Sequence, residues 1–119
     1  TAVMPKDYKI RENKANYIDF LVNNEYYKND CFVIDSKAIY QVENCTLALT
    51  AAAVMQRYNI AHIDIQCSRK AVREAHWEGR MEEVLPDVYV DGAHNPDGAK
   101  SLLNFLQNNF TNRRLIYIM

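Results

Sequence analysis

The chain has 119 residues, 49% of them hydrophobic and 24% charged, with only three Gly and three Pro, which is room for about one ordinary domain and excludes disordered or collagen-like classes. Fourteen Lys and Arg stand against 15 Asp and Glu for a net charge of −1, so the basic excess of a nucleic-acid binder is missing. No apolar run nears the ~20 residues of a membrane-spanning helix, and no secretion-type leader opens the chain, so the expectation is a cytoplasmic protein with no membrane partner.

Along the chain, residues 12–24 place Tyr17, Ile18, Leu21 and Val22 at helical spacing and predict a helix. Asn23–Asn24 and Asn29–Asp30 bracket Tyr26–Tyr27 as a turn, and Cys31–Ile34 reads as a short strand. Val42–Tyr58 is rich in Ala and Leu, lacks Gly and Pro, and repeats Val42, Cys45, Leu49 and Ala52 with a 3.6 period, so it predicts a helix ended by Asn59. Ile63-Asp64-Ile65 alternates like a strand, yet Asp64 also suits the cap of a helix over 65–75, the preferred reading. The basic residues Arg69, Lys70, Arg73, Arg113 and Arg114 read as solvated faces.

Trp77–Arg80 breaks the pattern and reads as a connector. A compact unit follows: a strand at Asp87–Asp91, a tight loop at Gly92–Asn95, and a helix opened by Pro96 with Asn95 as its cap and Asp97 in its first turn. Leu102, Leu103, Leu106 and Phe110 form its expected buried stripe, and Leu115–Met119 reads as a second strand. Strand, helix and strand predict a parallel pair joined by a right-handed crossover. A two-stranded parallel sheet does not cover both its faces, so the sequence is expected to be a fragment of something larger.

Cysteine and glycine arithmetic narrow the chemistry. Cys31, Cys45 and Cys67 are an odd set without a C-x-x-C pair, which predicts free thiols in a reducing compartment and neither a disulfide framework nor a zinc site. The only glycines are Gly79, Gly92 and Gly98, so neither G-x-G-x-x-G nor G-x-x-x-x-G-K-[ST] can be written; G-x-S-x-G and H-E-x-x-H are absent as well. A nucleotide site here would be partial.

Asp91-Gly92-Ala93-His94-Asn95-Pro96 lies where a strand end meets a helix start, the place at which open α/β sheets bind ligands. Asp91 there suits ribose hydroxyls or a metal-bound water, and His94 suits a phosphate or a base; equally, Asp91 and Asn95 read as turn and cap residues. Arg80, after Gly79, has the bidentate guanidinium that binds phosphate oxygens, or is a surface arginine paired with Glu78, Glu82 or Glu83. Asn44 carries the donor and acceptor that match an adenine edge, or is an ordinary polar residue near a helix start.

Three segments in this order resemble the folylpolyglutamate synthase/dihydrofolate synthase family of Mur-type ligases: Tyr40-Gln41-Val42-Glu43-Asn44 before the Ala-rich helix, Trp77-Glu78-Gly79-Arg80-Met81-Glu82, and Asp91-Gly92-Ala93-His94-Asn95-Pro96. The family shows Gln-x-x-Asn, Trp-x-Gly-Arg-x-Glu and Asp-Gly-Ala-His-Asn-Pro, and Tyr40 stands where it usually carries His. The resemblance covers about residues 35–110. It implies an α/β fold in which residues 1–76 are the end of a central ATPase domain, 77–86 the interdomain connector, and 87–119 the start of a Rossmann-like C-terminal domain. It also implies ATP contacts by Asn44 on the adenine side, Arg80 on the phosphate side and Asp91 from the C-terminal domain, with His94 and Asn95 near the site. No catalytic residue and no metal ligand is assigned.

The implied chemistry is ATP- and magnesium-dependent. A folate or pteroate carboxylate becomes an acyl phosphate, which the amino group of L-glutamate attacks; donors such as Arg80 stabilise charge on the phosphoryl oxygens. The phosphate loop and the magnesium ligands are expected outside this chain, so the piece alone is expected to be inactive, and its open sheet edges to favour self-association. The alternatives are a non-catalytic nucleotide- or protein-binding module and another Mur-type amide ligase with a different acceptor.

Overall fold

Ile18, Phe20 and Val22 are completely buried, whereas Asp19 and Leu21 between them are only half-buried. That period of two belongs to a strand with one face on a core. The computed structural model describes residues 5–14 and 16–118, and the chain divides between Trp77 and Glu78 into two compact units. In the first, a 3-10 turn (Pro5–Asp7) leads into β1 (Tyr8–Asn13), β2 (Ile18–Asn23) and β3 (Lys28–Ile34), an antiparallel meander in that order.

The helix expected over 12–24 is thus not formed; the segment is the end of β1, a turn and β2. Tyr17, Ile18, Leu21 and Val22 satisfy a helical spacing, but Phe20 joins only the alternating set. Aromatic and β-branched residues at 18, 20 and 22 pack well on a pleated surface, and the Lys14 N–H closes the turn onto the Tyr17 carbonyl at 2.9 Å. The expected strand at Cys31–Ile34 is the second half of β3.

Two helices complete this unit, α1 (Tyr40–Arg57) and α2 (Ile65–Glu74). Beyond α1, Asn59 takes a left-handed φ of 55°, a common way to end a helix. Asp64 caps α2: its Oδ1 accepts the N–H groups of Gln66 at 2.7 Å and Cys67 at 3.2 Å. A satisfied cap decides between the two readings of residues 63–65, and helix wins.

Val42, Cys45 and Leu49 of α1 and Val72 of α2 pack with Ile18, Phe20, Val22, Tyr27, Phe32 and Ile34 of the sheet and its turn. Phe20 and Phe32 sit directly opposite across the β2–β3 ladder, with ring centroids 6.0 Å apart. Tyr27 meets Phe32 edge-on at 5.6 Å and donates its hydroxyl to the Leu49 carbonyl at 3.1 Å, which ties the hairpin to α1. Asn24 shapes the turn: its Oδ1 accepts from the N–H groups of Tyr26 and Tyr27, and its Nδ2 donates to Thr50 Oγ1 at 3.0 Å.

The second unit begins with a hairpin, β4 (Arg80–Leu85) and β5 (Val88–Asp91), followed by α3 (Pro96–Asn109). Arg80–Leu85 therefore carries regular structure, although its segment reads as a connector in the sequence. The expected parallel partner of β5 is not formed among the described residues 115–118; β5 pairs antiparallel with β4 instead. A neighbour two residues away needs only a tight turn, and Asp87 supplies it with a φ of 61°. Met119 lies outside the described residues.

The buried stripe of α3 differs from expectation: Leu102, Leu106 and Phe110 are only half-buried. Phe105 is its buried residue, whereas Leu103 is 52% exposed. Phe105 and Tyr89 both meet Phe110 edge-on, at 5.9 Å and 5.1 Å, so aromatic contacts join the end of α3 to the hairpin. The Arg113 guanidinium pairs with the Asp87 carboxylate and fastens the chain after α3 to the hairpin turn.

Among the described residues no helix is long and apolar enough to cross a membrane. All three cysteines are free thiols, with Cys45 buried, Cys31 half-buried and Cys67 exposed.

Two outcomes follow from this core. Phe20→Ala removes a ring enclosed on all sides and is expected to lower the stability of the first unit by about 3–5 kcal/mol, read from denaturant titration. Burial pushes the Cys45 thiol up from 9.0 to about 11. The folded chain then holds a proton that the unfolded chain releases, so stability is intact below pH 9 and falls as the pH rises towards 11. Cys45→Ala is expected to flatten that alkaline slope in unfolding measured between those limits, leaving the losses due to Cys31, Tyr8, Tyr17 and Tyr27, which are also held above their usual ranges.

Candidate functional site

Arg80 opens β4 and Asp91 closes β5, and the two are direct partners in the antiparallel ladder. The hairpin thus brings together residues eleven positions apart at one end of a two-stranded ribbon. Pairing there is irregular. Arg80 faces Asp91 and Glu82 faces Val90, which leaves Met81 as an extra residue, a β-bulge. Met81 is buried and left-handed, with a φ of 49°, and Gly79 just before is left-handed as well, with a φ of 66°. Gly79 accommodates that conformation without a side-chain penalty; Met81 does so under strain.

Asp91 spans the irregularity. Its Oδ2 accepts the Met81 N–H at 3.0 Å and its Oδ1 accepts the Ala93 N–H at 2.8 Å. The Gly92 N–H donates to the Gly79 carbonyl at 2.7 Å, extending the ladder beyond Arg80. The Arg80 guanidinium lies against Gly92: a Cβ built there would be 3.9 Å from Arg80 Nη1. The Arg80 side chain is exposed, and Glu82, one of the acids proposed as its surface partner, accepts the Gly79 N–H through Oε2 at 2.7 Å.

The loop then runs into α3. His94 Nδ1 is 2.8 Å from the Gly92 carbonyl. A carbonyl can only accept, so Nδ1 carries the proton and Nε2 is left for any further contact. Asn95 caps α3, its Oδ1 accepting the Gly98 N–H at 2.8 Å, and Pro96 fills the first helical position. Asn95 is therefore engaged in holding the helix start. A Cβ at Gly98 would come within 3.2 Å of that Oδ1, so the glycine makes room for the cap.

Arg80, Asp91, His94 and Asn95 are thus gathered in the second unit. Asn44 belongs to the first unit, on an exposed face of α1, where its Nδ2 donates to Oε1 of the buried Gln41 at 2.9 Å. The Gln-x-x-Asn spacing puts both amides one helical turn apart, and the inner one orients the outer.

What the arrangement offers is an exposed guanidinium and a helix N-terminus, both suited to an anionic ligand, beside an imidazole whose Nε2, with the proton on Nδ1, accepts a hydrogen bond. Among the described residues no group of three or more His, Cys, Asp and Glu is placed to hold a metal ion. Sequence reasoning missed the bond from Glu82 to Gly79. Its signal is the acid three residues after a backbone N–H at a turn, the same spacing as the return arm of a capping box.

No protein-family model matches the chain. Among curated proteins it is 38% identical over 78 residues to the dihydrofolate synthase/folylpolyglutamate synthase of Bacillus subtilis, a match covering 64% of this chain and 18% of that protein. It is 32% identical over 74 residues to the folylpolyglutamate synthase of Lacticaseibacillus casei, covering 60% of this chain and 17% of the relative. A solved FPGS–AMPPCP complex superposes with a TM-score of 0.73 at 24% identity, over 91% of this chain and 28% of that one, a likeness in fold. The chain spans less than a fifth of the length of these curated relatives. Sequence matches, shared fold and the three ordered motifs agree: the chain is similar, in sequence and in fold, to the folylpolyglutamate synthase/dihydrofolate synthase proteins.

Proposed function

We propose that this chain is part of an ATP-dependent ligase that joins L-glutamate to the carboxylate of a folate or dihydropteroate, and that it supplies part of the nucleotide site. The observation that carries the reading is the Arg80–Asp91 pair, held at one hairpin end beside the capped start of α3 in a chain similar to these proteins. The related FPGS–AMPPCP complex, with an ATP analogue bound, supports the nucleotide assignment.

Each residue has a role that its geometry permits. The exposed Arg80 guanidinium binds phosphate oxygens and matches the charge that grows on them during phosphoryl transfer. Asp91 accepts one backbone N–H on each carboxylate oxygen, and a carboxylate oxygen is a group that also accepts from a ribose hydroxyl. Asn44, oriented by Gln41, pairs with the adenine edge. His94 and Asn95 hold the loop and helix start beside Arg80 and Asp91. Residues 1–76 are then the end of the central ATPase domain, 77–86 the interdomain connector and 87–119 the start of the C-terminal domain, a division supported by the break in compactness between Trp77 and Glu78. ATP and magnesium are the proposed cofactors, with the metal ligands supplied elsewhere in the whole enzyme, and a cytoplasmic location is proposed.

In the full-length enzyme Arg80→Ala is expected to lower ATP-dependent glutamate addition to a folate by about a hundredfold, the usual cost of losing one aimed donor at a developing charge. Asp91→Ala is expected to do at least as much, because the loop and the bulge lose their shared acceptor. Asn44→Ala is expected to raise the KM for ATP with a smaller change in kcat. Wild-type rates in both the Arg80 and Asp91 variants, measured by incorporation of labelled glutamate, would remove the assignment.

A further inference from the structure

The backbone on both sides of Arg80 is clamped. Before it, the Gly79 N–H is held by Glu82 Oε2 at 2.7 Å and the Gly79 carbonyl by the Gly92 N–H at 2.7 Å. After it, the Met81 N–H is held by Asp91 Oδ2 at 3.0 Å, and the Met81 side chain is buried. Gly79 and Met81 are both left-handed, so Arg80 sits between two backbone kinks. A left-handed residue that is not glycine persists only where its surroundings determine it, and such places collect at functional sites.

We infer that Glu82 is a positioning residue for Arg80. Its carboxylate folds back over the bulge to fix the Gly79 peptide and thereby sets the direction in which the guanidinium leaves the hairpin. Glu82 touches neither nucleotide nor acceptor in this scheme; it acts through Arg80. The spacing explains why an acid is needed at this position. Glu82 is the first residue of β4 after the bulge, paired with Val90, so its backbone is anchored in the ladder while its side chain reaches three residues back. Aspartate is shorter by one methylene and is expected to fall short of Gly79. Glutamine keeps both length and acceptor oxygen. This inference rests on the reading of Arg80 as a phosphate contact.

The test uses the full-length enzyme with four variants: Arg80→Ala, Glu82→Ala, Glu82→Gln and the Arg80→Ala/Glu82→Ala double. Steady-state kinetics with ATP varied give kcat and KM, and amide hydrogen exchange reports on Gly79. Glu82→Ala is expected to cut kcat/KM for ATP about tenfold to a hundredfold, the scale of a misaligned catalytic group, and to speed exchange at Gly79. Glu82→Gln is expected to stay within about threefold of the parent, as an acceptor of equal reach should. The double variant is expected to match Arg80→Ala alone, since residues acting as a unit are not additive.

Losses that multiply in the double variant overturn the inference, as does Glu82→Gln behaving like Glu82→Ala, which would make the charge and not the bond the active feature. Parent-like kinetics in Glu82→Ala also overturn it. Where Glu82→Ala does not fold, Glu82→Asp, long enough to fold yet too short to bridge, takes its place. An Arg80→Ala enzyme with parent kinetics removes the phosphate reading itself. That failure is distinct, because Gly79 exchange in the Glu82 variants still shows whether the carboxylate clamp exists.

Discussion

The Asp91 carboxylate holds two backbone N–H groups that belong to different pieces of structure, Met81 on β4 and Ala93 in the loop before α3. Without that shared acceptor the bulge and the loop would each present a donor with no partner, and a half-buried donor left unpaired costs about 1–3 kcal/mol. The geometry of the whole corner hangs on this one group. It fixes where β4 restarts, where α3 begins, and therefore how far Arg80 and His94 are from each other. An aspartate at the end of a strand is short enough to turn back on its own chain and still span the ladder.

Much of this was legible in residue order. The Ala-rich helix α1, the Asp64 cap of α2 and the Asn95–Pro96 start of α3 all stand where short-range chemistry puts them, because caps and helix propensity are decided within a few residues. The strands were harder. Tyr17, Ile18, Leu21 and Val22 satisfy two periodicities at once, and only the position of Phe20 in the core separates them. The partner of β5 was misread for a similar reason: Leu115–Met119 has the composition of a strand, but pairing depends on what lies beside it, and β4 is closer along the chain.

The candidate site divides in the same way. Its members were visible as side chains, since Arg80, Asp91, His94 and Asn95 lie in two compact motifs. Their cohesion was not, because it runs through backbone N–H and carbonyl groups that every residue possesses. Nothing in the letters Trp-Glu-Gly-Arg-Met-Glu announces that Met81 is left-handed or that Glu82 bends back to Gly79. The motifs drew attention to this corner; the hydrogen bonds explain how its residues cohere.

Gly98 shows what such a corner demands of anyone who would redesign it. Exchanging glycine for alanine inside a helix is a standard stabilising edit, favoured by about 1 kcal/mol on propensity alone. At this position the added methyl would stand 3.2 Å from the Asn95 oxygen and 3.4 Å from Ala93, so the gain is set against a displaced cap of similar worth. A thermostabilisation campaign guided by helix propensity would choose this glycine early and disturb the loop that carries His94.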